Sequence, residues 1–358
     1  MKLFSLTLPY LLLVSFHTGP INELGKEKLD AVTDSPYNGV AVTLIGAYDT
    51  GKYTAQDFAP SVSRLKEGTR KDVWPWVFFN RFIGSKEGSR SLSPKSANPY
   101  FRAIKGMDIF NEAGALGDFY GIWRIALLTA KELGSPGIVV DAEAYNNYEA
   151  YRVTYISEET GIPKTEVKKR LTEMGRELMR IADETYPDAT LWFLFTGLGT
   201  TVRSINPFTN KEYLSVTYII QGMLEYAREH SSNIRLVSGG ELSLGYCYES
   251  LENLENKIRS RNADFEQPLH SYPNLRLGGT IAPWNDTGLK KEGYFTKGTC
   301  GRSKLKNLNN FRPLIKYLLE SYKYVWIYAD STVGYNPYAG KITLPYNKVL
   351  GEATDDNH

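Results

Sequence analysis

Short apolar runs alternate with longer amphipathic segments from about residue 38 almost to the end of this chain, and that rhythm limits the folds open to it. Seven runs read as strands: Val40–Ile45, Trp74–Phe79, Gly137–Val140, Thr190–Phe195, Ile234–Val237, Leu275–Ile281 and Tyr324–Tyr328. Each is rich in β-branched or aromatic residues and bounded by Gly, Pro, Asn or Asp. Between them lie helical patterns. The clearest runs from Lys164 to Tyr186, where Val167, Leu171, Met174, Leu178 and Ile181 recur every three or four residues and Pro187 stops the run. Phe119–Leu133 follows the same pattern with Gly134 as its C-cap, as do Tyr218–His230, Ser250–Ala263 and Leu308–Tyr322.

Strand and helix in sustained alternation imply a parallel sheet covered by helices. The expected fold class is therefore α/β, a (β/α)8 barrel of the TIM type with some distortion allowed. A barrel needs eight strands, so another is expected in the long gap after Phe79, around Lys105–Phe110. An open doubly wound parallel sheet is the alternative. No GxGxxG follows the first strand and no Walker loop is present, so that alternative lacks its usual phosphate loop. A single catalytic barrel domain is expected over residues 38–345, with long polar loops at Gly84–Pro99 and Pro283–Gly301 shaping a cleft.

The first residues carry one positive charge, Lys2, and then a short apolar run ending at Phe16. That shape reads as a signal peptide over residues 1–20, and hence as a secreted or periplasmic protein; the alternative is a buried N-terminal strand. No later segment is apolar and long enough to cross a membrane. Cys247 and Cys300 are the only cysteines, and their pairing is open. With four His and neither CxxC nor HExxH, no His- or Cys-based metal site and no cofactor is expected. The net charge of +2 is spread along the chain, which lacks the basic patch a nucleic-acid binder needs. Aromatics are abundant instead: 25 Tyr, 15 Phe and 6 Trp offer flat faces suited to stacking on sugar rings, or simply to packing. A carbohydrate is thus the expected partner, and the oligomeric state is open.

Reactive groups of a barrel sit just past the C-terminal ends of its strands. Those positions hold Tyr48 and Asp49, Asn80 and Arg81, Asp141, Glu143 and Tyr145, Glu241, Trp284, and finally Asp330. Several carboxylates collected at one mouth are the main functional signal, although Asp and Glu also cap helices. Gly137-Ile138-Val139-Val140-Asp141-Ala142-Glu143 is the sharpest segment. Strand alternation puts Asp141 and Glu143 on one face, where two close carboxyls cannot both ionise freely. One can then act as an acid near neutral pH, as glycoside hydrolysis requires. Trp284 and Trp326 are the expected stacking residues, and Arg81 a partner for a carboxylate or an anionic sugar.

An apolar strand ending in D-x-E resembles the end of the DxxDxDxE motif of chitinase-like (family 18) glycoside hydrolases. Asp141 and Glu143 match its last two positions, while Pro136 and Val139 stand where that family has Asp. The resemblance implies a barrel, Glu143 as general acid and Asp141 as its partner. The closing strand Tyr324–Asp330, with Trp326, resembles the last strand of TIM-barrel glycoside hydrolases more broadly, without identifying a family. Glu241 or Asp330 could partner Glu143 across the cleft instead. The expected function is a glycoside hydrolase acting on an oligo- or polysaccharide. Its alternatives are a non-catalytic carbohydrate-binding barrel and a divalent-metal hydrolase using Asp49, Asp141, Glu143 and Asp330 as ligands.

Overall fold

A run of residues apolar on both faces is what a strand enclosed between a lumen and a shell of helices requires. Leu11, Leu12, Leu13 and Val14 form such a run, and each is at most 1% exposed. In the computed structural model, which describes residues 9–15, 18–44, 53–79, 109–142, 152–194, 196–198, 213–246, 248, 250–285, 304–329, 337–338 and 343–355, they lie in strand β1 (Tyr10–Ser15). The other barrel strands are β2 (Gly39–Thr43), β3 (Asp72–Phe78), β4 (Gly137–Asp141), β5 (Thr190–Phe193), β6 (Arg235–Ser238), β7 (Leu275–Ile281) and β10 (Tyr324–Ala329). They follow one another around a closed barrel in sequence order, every pairing parallel, and β1 closes it between β10 and β2. Leu12 sits opposite Trp326 on one side and Gly39 on the other. The barrel of TIM type is thus present, and the open sheet is not.

The eighth strand is β1, which corrects two expectations. Tyr10–Ser15 falls within the stretch expected as a removable leader over residues 1–20; it is a barrel strand, so the structured domain begins ahead of residue 38. A signal-peptide core and a doubly buried strand both demand a continuous apolar run, so the pattern fits either. The second correction concerns Lys105–Phe110: its described residues, Ile109 and Phe110, lie in a turn.

The helices alternate with the strands. The five expected ones form α3 (Ala115–Leu133), α5 (Lys164–Thr185), α6 (Ser215–Glu229), α8 (Leu251–Ser271) and α9 (Leu308–Ser321). Gly134 caps α3 in the left-handed conformation at φ 72°. The pattern did not reveal α1 (Lys26–Thr33), α2 (Ala59–Gly68), α4 (Val153–Thr160), the single turn α7 (Glu241–Leu244) or α10 (Thr343–Asp355), which ends past residue 345. Leu29 and Val32 are the buried residues of α1, too few to write a periodic signal. Among the described residues no helix is long and apolar enough to cross a membrane.

Alternation along the strands divides the core in two. Val140, Val325 and Ile327 face outward into the layer beneath the helices, while Val139, Trp326 and Trp192 face the lumen. Aromatics plug the N-terminal end of the lumen: the Trp74 and Trp192 rings meet edge to face at 5.7 Å, and Trp192 meets Tyr324 at 5.3 Å. Trp74 Nε1 donates to Tyr10 Oη at 2.8 Å, and Tyr10 donates to Asp72 Oδ2 at 2.7 Å. The lumen of the barrel is a packed core and not a pore.

Candidate active site

Eight parallel strands of one direction bring their C-terminal ends to one mouth, so strand position decides which residues meet there. Asp141 is the last residue of β4 and, alternating with lumen-facing Val139, lies on the lumen side, 1% exposed. Glu241 follows two strands round. It opens α7 after the turn Gly239-Gly240, is half-buried, and its Oε1 accepts a hydrogen bond from the Tyr246 hydroxyl. These two carboxyl residues were both expected at the mouth, and the structure brings both to it.

The turn before Glu241 is held by main-chain geometry. Gly239 N donates to Phe193 O at 2.7 Å and Glu241 N to Leu194 O at 3.1 Å, extending the β5–β6 ladder beyond the last strand residue. Gly240 adopts φ 94°, the left-handed region where a side chain is strained, and a Cβ there would stand 3.1 Å from Gly278 O. Glycine at this position lets the chain leave the barrel wall sharply enough to set Glu241 over the mouth.

Trp326 differs from expectation. Its ring is 0% exposed, enclosed in the lumen, so it offers no face to a sugar. Its Nε1 donates to Gly239 O at 3.0 Å, and its ring meets Tyr246 edge to face at 5.6 Å. It is a brace beneath the Glu241 turn. Strand alternation puts Tyr328 one layer nearer the mouth; it is partly exposed and stacks on Tyr246 with centroids 5.2 Å apart. Tyr246 and Tyr328 are thus the described aromatics beside Glu241 that sequence reasoning had not chosen. Their signal was weak, because both sit among many tyrosines.

Trp284 begins the two-residue strand β8 (Trp284–Asn285), antiparallel to β9 (Lys304–Leu305), directly after β7. It thus follows the C-terminal end of β7. Tyr48, Asp49, Asn80, Arg81, Glu143, Tyr145 and Asp330 lie outside the described residues, as do Cys247 and Cys300. Among the described residues no three of His, Cys, Asp and Glu gather at metal-binding distance.

Behind the Glu241 segment stand three cations that the sequence did not single out. Arg261 on α8, 1% exposed, donates to Gly278 O at 2.5 Å and Ser238 O at 2.6 Å. Lys257, one turn earlier, donates to Leu244 O at 2.8 Å. Lys306 donates to Tyr246 O and Ala282 O, each at 2.8 Å. Burial pulls Arg261 and Lys257 below their usual basic range. In sequence they read as polar positions of ordinary helices and loops.

No family model matches the chain, and no curated protein matches it. Solved structures do. It is similar to the tri-modular endo-beta-1,4-glucanase B of Bacillus halodurans, at 12% identity over 93% of this chain and 55% of that one, with a TM-score of 0.48. This chain thus spans about half the glucanase's length. It is similar to the GH113 beta-mannanase of Alicyclobacillus acidocaldarius, at 10% identity, 100% of both chains and a TM-score of 0.47. It is equally similar to endonuclease IV of Thermus thermophilus, at 8% identity over 98% of this chain and 100% of that one, with a TM-score of 0.47.

Proposed function

We propose that this barrel is a glycoside hydrolase acting on an oligo- or polysaccharide, with its chemistry at the C-terminal mouth. The observation that carries the reading is that Asp141 ends β4 and Glu241 follows β6, with Glu241 hydrogen-bonded to Tyr246, whose ring stacks on Tyr328. Paired carboxyls above an apolar floor are the equipment for splitting an acetal: one protonates the leaving oxygen while the other stabilises or attacks the sugar cation. Glu143 is the general acid in this reading and Asp141 its neighbour. Glu241 is the facing carboxylate, since a hydrogen bond from Tyr246 favours a charged acceptor. The partly exposed Tyr328 face is suited to carry a sugar ring.

The test is turnover of a glycan panel (β-1,4-glucan, β-mannan and chitin oligosaccharides) by the full chain and three variants. Glu143→Gln removes a transferable proton and should lower kcat on unactivated glycans by about 10²–10⁴-fold. An activated aryl glycoside, needing little protonation, should lose much less. Glu241→Gln and Asp141→Asn should impair both substrate kinds, because charge beside the reacting carbon is lost. Near-wild-type turnover by both Glu143→Gln and Glu241→Gln would overturn the assignment. Glycan binding without turnover would mark a binding barrel instead.

A further inference from the structure

A buried guanidinium held without a carboxylate is costly, so its persistence calls for a reason. Arg261 is such a group among the described residues: it donates to two main-chain carbonyls and, at 3.5 Å, to the Ser238 hydroxyl, and it lies against the faces of Phe265 and Tyr322, with ring centroids 5.4 and 5.3 Å from its Cζ. Its two acceptors lie on different strands. Ser238 O is at the end of β6 and Gly278 O is within β7, beyond Leu277, the last residue of β7 in its ladder with β6. The guanidinium thus bridges the two strands where they part. A Cβ on Gly240 would stand 3.2 Å from the Arg261 Cζ, so the glycine turn lies directly against the guanidinium.

Lys257 is four residues earlier, on the same face of α8. It donates to Leu244 O, the last residue of α7, and its Nζ lies 5.3 Å from the centre of the Tyr248 ring. Arg261 therefore holds the segment immediately before Glu241, and Lys257 holds the end of the turn that Glu241 begins. Among the described residues no carboxylate shifts either cation. Their shortest hydrogen bonds, of 2.5, 2.6 and 2.8 Å, go to backbone carbonyls, which fixes main-chain position more than it adds stability.

We propose that Arg261 and Lys257, one stripe of α8, are positioning residues that set where Glu241 and its partner Tyr246 stand in the barrel mouth. The proposal rests on the reading of Glu241 as a reacting carboxylate. Neither cation touches substrate. Each acts through the carbonyl it holds, and a displacement of about 1 Å at a reacting group can cost about 10²-fold in rate.

The experiment uses the full chain and a hydrolysed member of the glycan panel, with Lys257→Met, Arg261→Lys and Arg261→Ala, and Glu241→Gln as reference. Lys257→Met keeps the apolar stem and should lower kcat about tenfold with KM nearly unchanged, since substrate contacts are intact. Arg261→Ala should lose about 10²-fold, and guanidinium salt at tens of millimolar should restore part of it, while the melting temperature stays low. Arg261→Lys, which can reach one carbonyl, should fall between wild type and Arg261→Ala, and it stands in if Arg261→Ala does not fold. Wild-type kcat in Lys257→Met and Arg261→Lys, together with an inactive Glu241→Gln, would overturn the positioning role and leave the function standing. An active Glu241→Gln would instead overturn the role of Glu241. The crystal structure of Lys257→Met then decides: an unmoved Glu241 carboxylate refutes positioning, and a displaced one supports it.

Discussion

Tyr246 reaches back five residues to give its hydroxyl hydrogen to Oε1 of Glu241, and the same ring stacks on Tyr328 at 5.2 Å. One side chain thereby ties a carboxylate of the mouth to the last barrel strand. Tyr246→Phe keeps the stacking and removes the hydrogen bond. A hydrogen bond to a charged group is worth about 1.5–3 kcal/mol, so kcat/KM should fall about ten- to a hundredfold. Folding should change little. Unchanged kcat/KM on a hydrolysed glycan would show that this bond serves no reacting group.

Trp326 should matter to stability and not to substrate binding. It is enclosed in the lumen and braces Gly239 O. Trp326→Ala should cost about 3–5 kcal/mol, with Trp326→Phe losing less because it keeps most of the volume. Chemical denaturation measures the loss. A raised KM with unchanged stability would return Trp326 to the role of a sugar platform.

Asp72 supplies a pH dependence. Burial raises its carboxyl above the ordinary 3.8, and the Tyr10 hydrogen bond only partly opposes this. The folded state therefore keeps the proton to higher pH than the unfolded chain. The stability this contributes is present below 3.8 and is lost as pH rises through the folded value. Asp72→Asn keeps an acceptor for Tyr10 and cannot ionise. Its melting temperature should gain on that of the wild type as pH rises through the acid range, and a constant offset would contradict the assignment.

Removing residues 1–20 should abolish cooperative unfolding. The deletion takes β1, which pairs along its whole length with β10 and closes against β2. Two unpaired edges of a parallel sheet, with the lumen open between them, leave no closed core. A truncated chain melting as sharply as the full one would show that β1 is dispensable.

Seven strands and the five longest expected helices were legible in the residues, because core-facing side chains must repeat at the period of the element carrying them. Asp141 and Glu241 were legible for the same reason, since in a barrel the residue after an apolar strand belongs to the mouth. Three things were not. Leu11–Val14 are apolar on both faces, and such a run says only that it leaves water, not whether it joins a barrel or a leader. Trp326 and Tyr328 share one face of one strand, so periodicity places both in the lumen; only the stacking of layers above Trp326 decides which one lies near the mouth. Arg261 and Lys257 follow the spacing of any polar helix face. Their acceptors, Ser238 O, Gly278 O and Leu244 O, are main-chain atoms that no residue type announces. Local sequence determined seven of the strands, five of the helices and the strand-end positions of Asp141 and Glu241. Only the closure of the chain, bringing α8 against the ends of β6 and β7, decided which side chains hold those residues in place.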